Sequence, residues 1–154
     1  MRTTLSVALA ALTMLFLAGA PAQATESDLQ ARIDLALAEF PGGVQTSSTT
    51  VEWEDGAIEL TLAPEGITPF AVGSCATGKY CVFGGTNLGG SKLSFTACDT
   101  TYSTAALLGS VRSMANARSS GTVKGKDSAG TVLATVNAGG RLNVAPTGLK
   151  QVTC

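Results

Sequence analysis

Cys75-Ala-Thr-Gly-Lys-Tyr-Cys81-Val-Phe83-Gly-Gly-Thr-Asn-Leu88-Gly-Gly90-Ser-Lys-Leu93-Ser-Phe95 is the stretch that decides the fold. Two cysteines bracket a short loop. Behind them, Phe83 is followed at five and seven residues by Leu88 and Gly90. This is the spacing of a strand that folds over into a tight corner, where glycine accepts a backbone geometry that other residues resist. The same offsets return nearer the C-terminus, where Val123 is followed by Ser128 and Gly130. One supersecondary unit is therefore used twice, with Phe83, Gly90 and Gly130 as its motif positions. Two units can share one core, which a single hairpin cannot build.

Outward from this stretch, the chain beyond Cys75 reads as short β-runs at 80–83, 92–95, 110–115, 122–126, 131–136, 141–144 and 149–152. They are separated by glycine-rich turns every eight to twelve residues, the pattern of an all-β sandwich or barrel. Before it, Leu29, Ile33, Ala36, Leu37 and Phe40 fall at helical spacing and Pro41-Gly42-Gly43 ends the run. That predicts an amphipathic helix over 27–40, which needs a surface to dock on because a short helix does not persist alone in water. After a polar linker over 45–50, Val51-Glu-Trp53-Glu and Ala57-Ile-Glu-Leu-Thr-Leu62 alternate in character around Asp55-Gly56, which predicts a hairpin with a two-residue turn. Trp53, the only tryptophan, is expected to be a packed staple rather than a ligand platform. Glu52, Glu54, Asp55 and Glu59 are read as the wet face of this hairpin and not as a calcium site. Pro64, Gly66, Pro69 and Gly73 mark a linker over 63–73.

The first 24 residues carry Arg2, an apolar run over 5–18 and the small residues Ala22-Gln-Ala24, so a secretory signal is expected at 1–24. The expected organisation is then an acidic helix and hairpin extension with its linker at 25–74, and a β-domain at 75–154. Charge divides along the same line. Between 25 and 74 nine acids face Arg32 alone, whereas from Cys75 onward eight bases face Asp99 and Asp127. Either a basic binding surface or an acidic segment folded against a basic domain produces such an asymmetry, and so do two unrelated solvated faces.

There is no histidine. This excludes a Ser-His-Asp or Cys-His nucleophile, a histidine general base and a His-ligated zinc. The chain is read as a non-enzyme with no cofactor, no metal and no nucleic-acid partner. Four cysteines in an exported chain are expected to form disulfides, because the outside of the cell is oxidising.

The motifs resemble the βγ-crystallin Greek key, and more closely the secreted bacterial family typified by the streptomycete metalloproteinase inhibitor. The residues that carry this are Cys75 with five residues to Cys81, then Phe83-Gly-Gly-Thr-Asn-Leu-Gly-Gly90, and Ser110-Val-Arg112-Ser113-Met-Ala115-Asn116, which is similar to the family's Ser-Ala-Arg-Ser-Phe-Ala-Asn segment. The resemblance spans roughly 75–144. It implies a mainly β, βγ-crystallin-like Greek-key sandwich, preceded here by the helix and hairpin, with an extracellular life and inhibition of a peptidase.

Two departures from the family pattern stand out. The metalloproteinase-inhibiting type has a second cysteine pair around its reactive loop, where this chain reads Lys124-Gly-Lys-Asp-Ser-Ala-Gly-Thr131. The calcium-binding pattern of the wider fold loses its leading ligands at Leu108-Gly-Ser-Val-Arg-Ser113. Four cysteines admit three pairings, which spacing does not choose among. The arrangement expected is Cys75 with Cys81 and Cys98 with Cys154.

The resulting expectation is a secreted inhibitor that blocks the cleft of an extracellular endopeptidase with an exposed β-domain loop. Lys124, Lys126, Asp127 and Ser128 are the candidate contacts, and 118–121 and 144–149 are further candidate loops. No membrane partner is expected once the signal is cleaved. The alternative is a non-inhibitory binding or antimicrobial module, killer-toxin-like, that recognises anionic cell-surface polymers through the basic β-domain.

Overall fold

The computed structural model describes residues 22–64 and 75–154, with side chains from Glu26 onward. The expected signal falls almost wholly outside these residues, as does most of the linker. A helix, α1 (Ala22–Glu39), is followed by eleven strands among the described residues: β1 (Val44–Gln45), β2 (Thr50–Trp53), β3 (Ile58–Thr61), β4 (Tyr80–Phe83), β5 (Lys92–Phe95), β6 (Thr101–Ser103), β7 (Ser113–Asn116), β8 (Thr122–Lys126), β9 (Val132–Asn137), β10 (Arg141–Leu142) and β11 (Gln151–Thr153). All pairings are antiparallel.

Two sheets result, ordered β1-β2-β3-β5-β4-β7-β10 and β6-β11-β8-β9. In the first repeat unit β4 and β5 form a hairpin, the third strand β6 leaves for the other sheet, and β7 returns to lie beside β4. The second unit does the same in reverse. There β8 and β9 pair, β10 crosses to the large sheet, and β11 returns beside β8. A fourth strand that returns beside the first is the Greek-key arrangement. Here each unit gives its third strand to its partner, so neither sheet closes without both copies.

Register explains which residues are buried. Across the large sheet Val51, Leu60, Leu93, Val82, Met114 and Leu142 stand opposite one another in a single row. Two residues further along the strands, Trp53, Ile58, Phe95 and Tyr80 form a parallel row on the same face. The small sheet answers with Tyr102, Val152 and Ala134, and with Val123 and Val136. These rows, with Leu29, Ile33 and Ala36 of α1, form one core cluster. Tyr80 stacks on Phe95 at 5.2 Å between ring centroids, and Phe95 on Tyr102 at 5.0 Å, which carries the packing from β4 across to β6.

The two outer faces differ. On the large sheet Cys81, Phe83 and Ala115 point away from the core, yet they are buried in a second cluster with Cys75. The small sheet turns Thr101, Lys124 and Thr135 to solvent.

Both disulfides take the expected pairing, Cys75–Cys81 and Cys98–Cys154. In the chain-entropy account the short first loop is stabilised by about 2 kcal/mol and the long second one by about 4 kcal/mol.

The hairpin at 50–61 departs from the expected two-residue turn. Trp53 pairs with Ile58, so the loop is four residues, 54–57. Glu54 and Asp55 both adopt positive φ before Gly56, and the Ala57 N–H donates to the Glu54 carbonyl at 3.1 Å. The run expected from 110 begins as a strand only at Ser113, because the chain first leaves a short helical turn over 105–107 through Leu108 at positive φ. Part of the polar linker over 45–50 is also strand, since Gln45 pairs with Val51.

The hairpin continues the sheet. Each residue of β3 has a partner in β5, from Ile58 with Phe95 to Thr61 with Lys92. Arg32 of α1 reinforces this seam by donating to the Ala63 carbonyl at 2.9 Å and to Ser91 Oγ at 3.0 Å.

Candidate functional site

The corner loop of the first unit, 84–91, is held from within. The Gly85 N–H donates to the Gly89 carbonyl at 2.8 Å. Fully buried Ser113 donates from Oγ to the Gly85 carbonyl at 2.6 Å and accepts the Leu88 N–H at 3.0 Å. Gly90 sits at φ +73°, and a β-carbon there would lie 2.9 Å from the Gly85 nitrogen. Phe83 is fully buried against the Cys75–Cys81 bridge. The Ser-Val-Arg-Ser-Met-Ala-Asn segment thus has a structural basis. Ser113 fastens the loop, and buried Asn116 donates to the Gly121 carbonyl at 3.3 Å and the Val136 carbonyl at 3.2 Å.

The equivalent loop of the second unit, 127–131, joins β8 to β9 and is exposed from Ser128 onward. Its organiser is Asp127. The carboxylate accepts the Ala129 N–H at 2.9 Å and the Thr131 N–H at 2.8 Å through one oxygen, Oδ1. Its own N–H donates to the Thr131 carbonyl at 3.0 Å, and its carbonyl accepts the Gly130 N–H at 3.2 Å. Four hydrogen bonds therefore converge on one residue at the place where a cysteine pair is absent. Gly130 takes φ +85°, and a β-carbon there would meet nothing within 4 Å, so here glycine answers backbone geometry alone.

Of the candidate residues, Lys124 and Ser128 are exposed and Lys126 and Asp127 half-buried. The structure brings two of the three candidate loops together. The Lys150 N–H donates to the Lys126 carbonyl at 2.8 Å, and a β-carbon on Gly148 would lie 3.7 Å from Leu133, so 144–149 runs beside the β8–β9 loop. The segment 118–121 belongs elsewhere. It leads into Thr122, which pairs with Asn137 at the far end of the β8–β9 hairpin, roughly 15 Å away at a strand rise of about 3.3 Å per residue.

Two further residues belong to this surface. The ladder pairs Gly125 with Ala134 but Lys126 with Val132, leaving Leu133 as the extra residue of a bulge. Without the bulge, alternation would turn Val132 inward with Ala134 and Val136. With it, Val132 is 46% exposed and Leu133 37% exposed, directly after the loop. A sequence signal for this exists in Thr131-Val-Leu-Ala134, which sets three apolar residues in a row in a strand with one wet face.

Charge is paired mainly at the seam between the acidic and basic segments. Glu59 meets Lys79 at 3.0 Å and Lys92 at 3.9 Å. Partial burial pushes the Glu59 carboxyl up, but the Lys79 hydrogen bond and the charges of Lys79 and Lys92 together leave its pKa below the ordinary value. Burial, with Tyr102 nearby, drives the Tyr80 hydroxyl well above the usual phenol range. It donates to the Ala97 carbonyl at 3.0 Å. Tyr80 is therefore a neutral core residue.

Fold and site together define a disulfide-stapled β-sandwich scaffold that carries its accessible chemistry on loops. Residues 68–138 match the model of peptidase inhibitor family I36, the family suspected from the cysteine and glycine motifs. The match runs past the first disulfide to the end of β9 and takes in the 127–131 loop. The general role that accompanies this family is inhibition of a peptidase, which implies a protease as partner class and a non-enzymatic role. No curated protein and no solved structure matches the chain. Two disulfides suit an oxidising compartment, and among the described residues no helix is long and apolar enough to cross a membrane.

Proposed function

We propose that the protein is a secreted inhibitor that occludes the cleft of an extracellular endopeptidase with the 127–131 loop, flanked by Lys124, Lys126, Val132 and Leu133. The observation that carries this reading is the Asp127 network. A loop that enters a cleft binds well only if it is ordered beforehand, because ordering it on contact consumes affinity. Four hydrogen bonds on Asp127 offer that order without a second cysteine pair. The bulge adds apolar side chains beside the tip, and desolvated apolar anchors dominate the energy of such contacts.

An inhibition screen against serine and metallo-endopeptidases tests the reading. The wild-type chain is expected to inhibit at least one of them. The Lys126→Ala/Asp127→Ala double variant, folded by circular dichroism, is expected to inhibit it at least tenfold more weakly, corresponding to about 1.4 kcal/mol. Absence of inhibition of either class at micromolar protein abolishes the proposal. So does an equally potent double variant.

A second reading has one observation in its favour. Lys124, Lys126 and Lys150 cluster on neighbouring backbone, and none makes an ion pair among the described residues. A binding module for anionic cell-surface polymers would use such a cluster. It predicts pull-down on cell wall that fails at about 0.5 M salt, where exposed charges are screened within a few ångströms.

In both readings the leader at 1–24 is removed and the segment 25–74 is retained. Its loss would strip β3 from β5 and uncover the β5 edge at Leu93 and Phe95. Mass spectrometry of the secreted protein should find a start at Thr25, and a start near Ser74 would reverse this.

A further inference from the structure

On the edge of the small sheet away from the β8–β9 loop, α1, the 54–57 turn and β6 enclose an open cavity of about 460 Å³. That is within the range of small-molecule sites. We propose that this cavity is a binding site for a small amphiphilic cation: an aromatic or branched aliphatic group that carries an ammonium. The site is separate from the proposed inhibitory loop and does not depend on that reading. Three strand spacings, roughly 14 Å, lie between β6 and β9.

The walls are apolar and fixed in place. Phe40, Trp53, Ile58 and Tyr102 supply them. Trp53 donates its indole N–H to the Phe40 carbonyl at 2.8 Å, which ties the β2 end to the end of α1. Gly43 is what permits this. A β-carbon there would fall 2.6 Å from the indole ring, and no other residue lets Trp53 lie so close to the backbone. Tyr102 is held by its stack on Phe95. A ligand therefore meets aromatic surfaces that need little ordering, so little of its binding energy is lost to immobilising them. The indole N–H is already spent on the Phe40 carbonyl and is not available to an anionic or carbonyl group.

The charge around this apolar space has one sign. Glu39 and Glu54 line it, no basic residue does, and among the described residues neither carboxylate has an ion-pair partner. Glu39 is also the last residue of α1, whose last turn contains no basic residue. A helix C-terminus carries partial negative charge that a cation normally offsets, and here none does. Glu54, in the 54–57 turn, stands at φ +52°, a geometry that non-glycine residues adopt infrequently and that recurs at ligand-binding turns. Apolar aromatic walls beneath two free carboxylates and a helix C-terminus match an organic cation, which gains from burial, from the carboxylates and from the aromatic faces together.

Trp53 is the only tryptophan of the chain, so the site carries its own reporter. Titration of the full secreted protein with 2-phenylethylammonium, followed by tryptophan fluorescence, is expected to give a saturable change. 3-Phenylpropanoate, with the same ring and a comparable chain but a negative charge, is expected to bind at least tenfold more weakly. The Glu39→Gln/Glu54→Gln double variant keeps the cavity and is expected to bind the cation about fivefold more weakly, in keeping with two solvent-exposed charge contacts. In nuclear magnetic resonance titrations the indole N–H of Trp53 and the Ala106 methyl should shift together. Absence of saturation overturns the proposal. Equal binding of the anion, an unchanged double variant, or shifts centred away from Trp53 and Ala106 does so too.

Discussion

The two corner loops start from one spacing and end in opposite states. In the first, 84–91, a fully buried Phe83, the Cys75–Cys81 bridge and the Ser113 hydroxyl hold the loop against the outer face of the large sheet. Its β5 edge is covered by β3. In the second, 127–131, Val123 stands where the aromatic was, no cysteine pair brackets the loop, and one half-buried carboxylate holds the turn from within. Its β9 edge has no strand beside it among the described residues. The repeat thus determines where the chain bends, and the surroundings determine whether the bend is sealed or offered to solvent. A protein that acts through a loop needs one unit of each kind: a sealed one to make the scaffold rigid and an open one to make contact.

The largest test of this contrast is the pair of equivalent core positions. Phe83→Ala should destabilise by about 4 kcal/mol, because a fully buried ring leaves a cavity that the disulfide prevents from collapsing. Val123→Ala at the matching place removes two methyl groups and should cost nearer 2 kcal/mol. Urea unfolding of both variants measures the difference. Equal losses would mean that the two units are sealed alike and that the contrast is superficial.

Next come the two motif glycines. Both have positive φ, so alanine is strained at either, at about 1 kcal/mol or slightly more. Only at Gly90 would the new methyl also strike backbone, 2.9 Å from the Gly85 nitrogen. Gly90→Ala should therefore cost about 3 kcal/mol and Gly130→Ala about 1 kcal/mol. A Gly130→Ala variant as unstable as Gly90→Ala would show that the open loop is packed in solution.

Much of this architecture was legible in the chain. Strand periodicity located β4, β5, β8 and β9, and the glycine offsets exposed the repeat, because both depend on local rules of side-chain alternation and backbone sterics. Short strands that pair only through tertiary context were hidden. β6 has a single apolar residue, Tyr102, and β1 is two polar-flanked residues, so neither carries a periodic signal. At the candidate site, Lys124, Lys126, Asp127 and Ser128 were identifiable as a loop, but not what makes that loop firm. An aspartate that binds backbone two and four residues ahead looks in sequence like any turn aspartate. The joint exposure of Val132 and Leu133 was hidden because alternation assumes an unbroken ladder, which would turn Val132 inward, and the bulge breaks it.

The covered edge supplies the smallest and most selective test. Glu59 of β3 reaches Lys79 and Lys92, which flank or belong to the strands of the first unit, so acid and base meet where the extension seals β5. Its folded pKa lies below the ordinary glutamate value of 4.5. A carboxylate depressed on folding stabilises the native state at every pH above its unfolded pKa, and that contribution fades as pH falls through the folded value. Glu59→Gln should thus lower Tm slightly at neutral pH. The gap between wild type and variant should persist down to the region of pH 4.5 and close progressively below it, while both lysines stay charged throughout. The pair is partly exposed, so added salt should shrink the gap. Tm measured against pH for the two proteins decides the matter. A gap that does not change with acidification would mean that Glu59 is not ion-paired in solution. The seal on β5 would then rest on strand pairing and the Leu60–Leu93 contact alone, leaving the edges of the two units different in hydrogen bonding but not in charge.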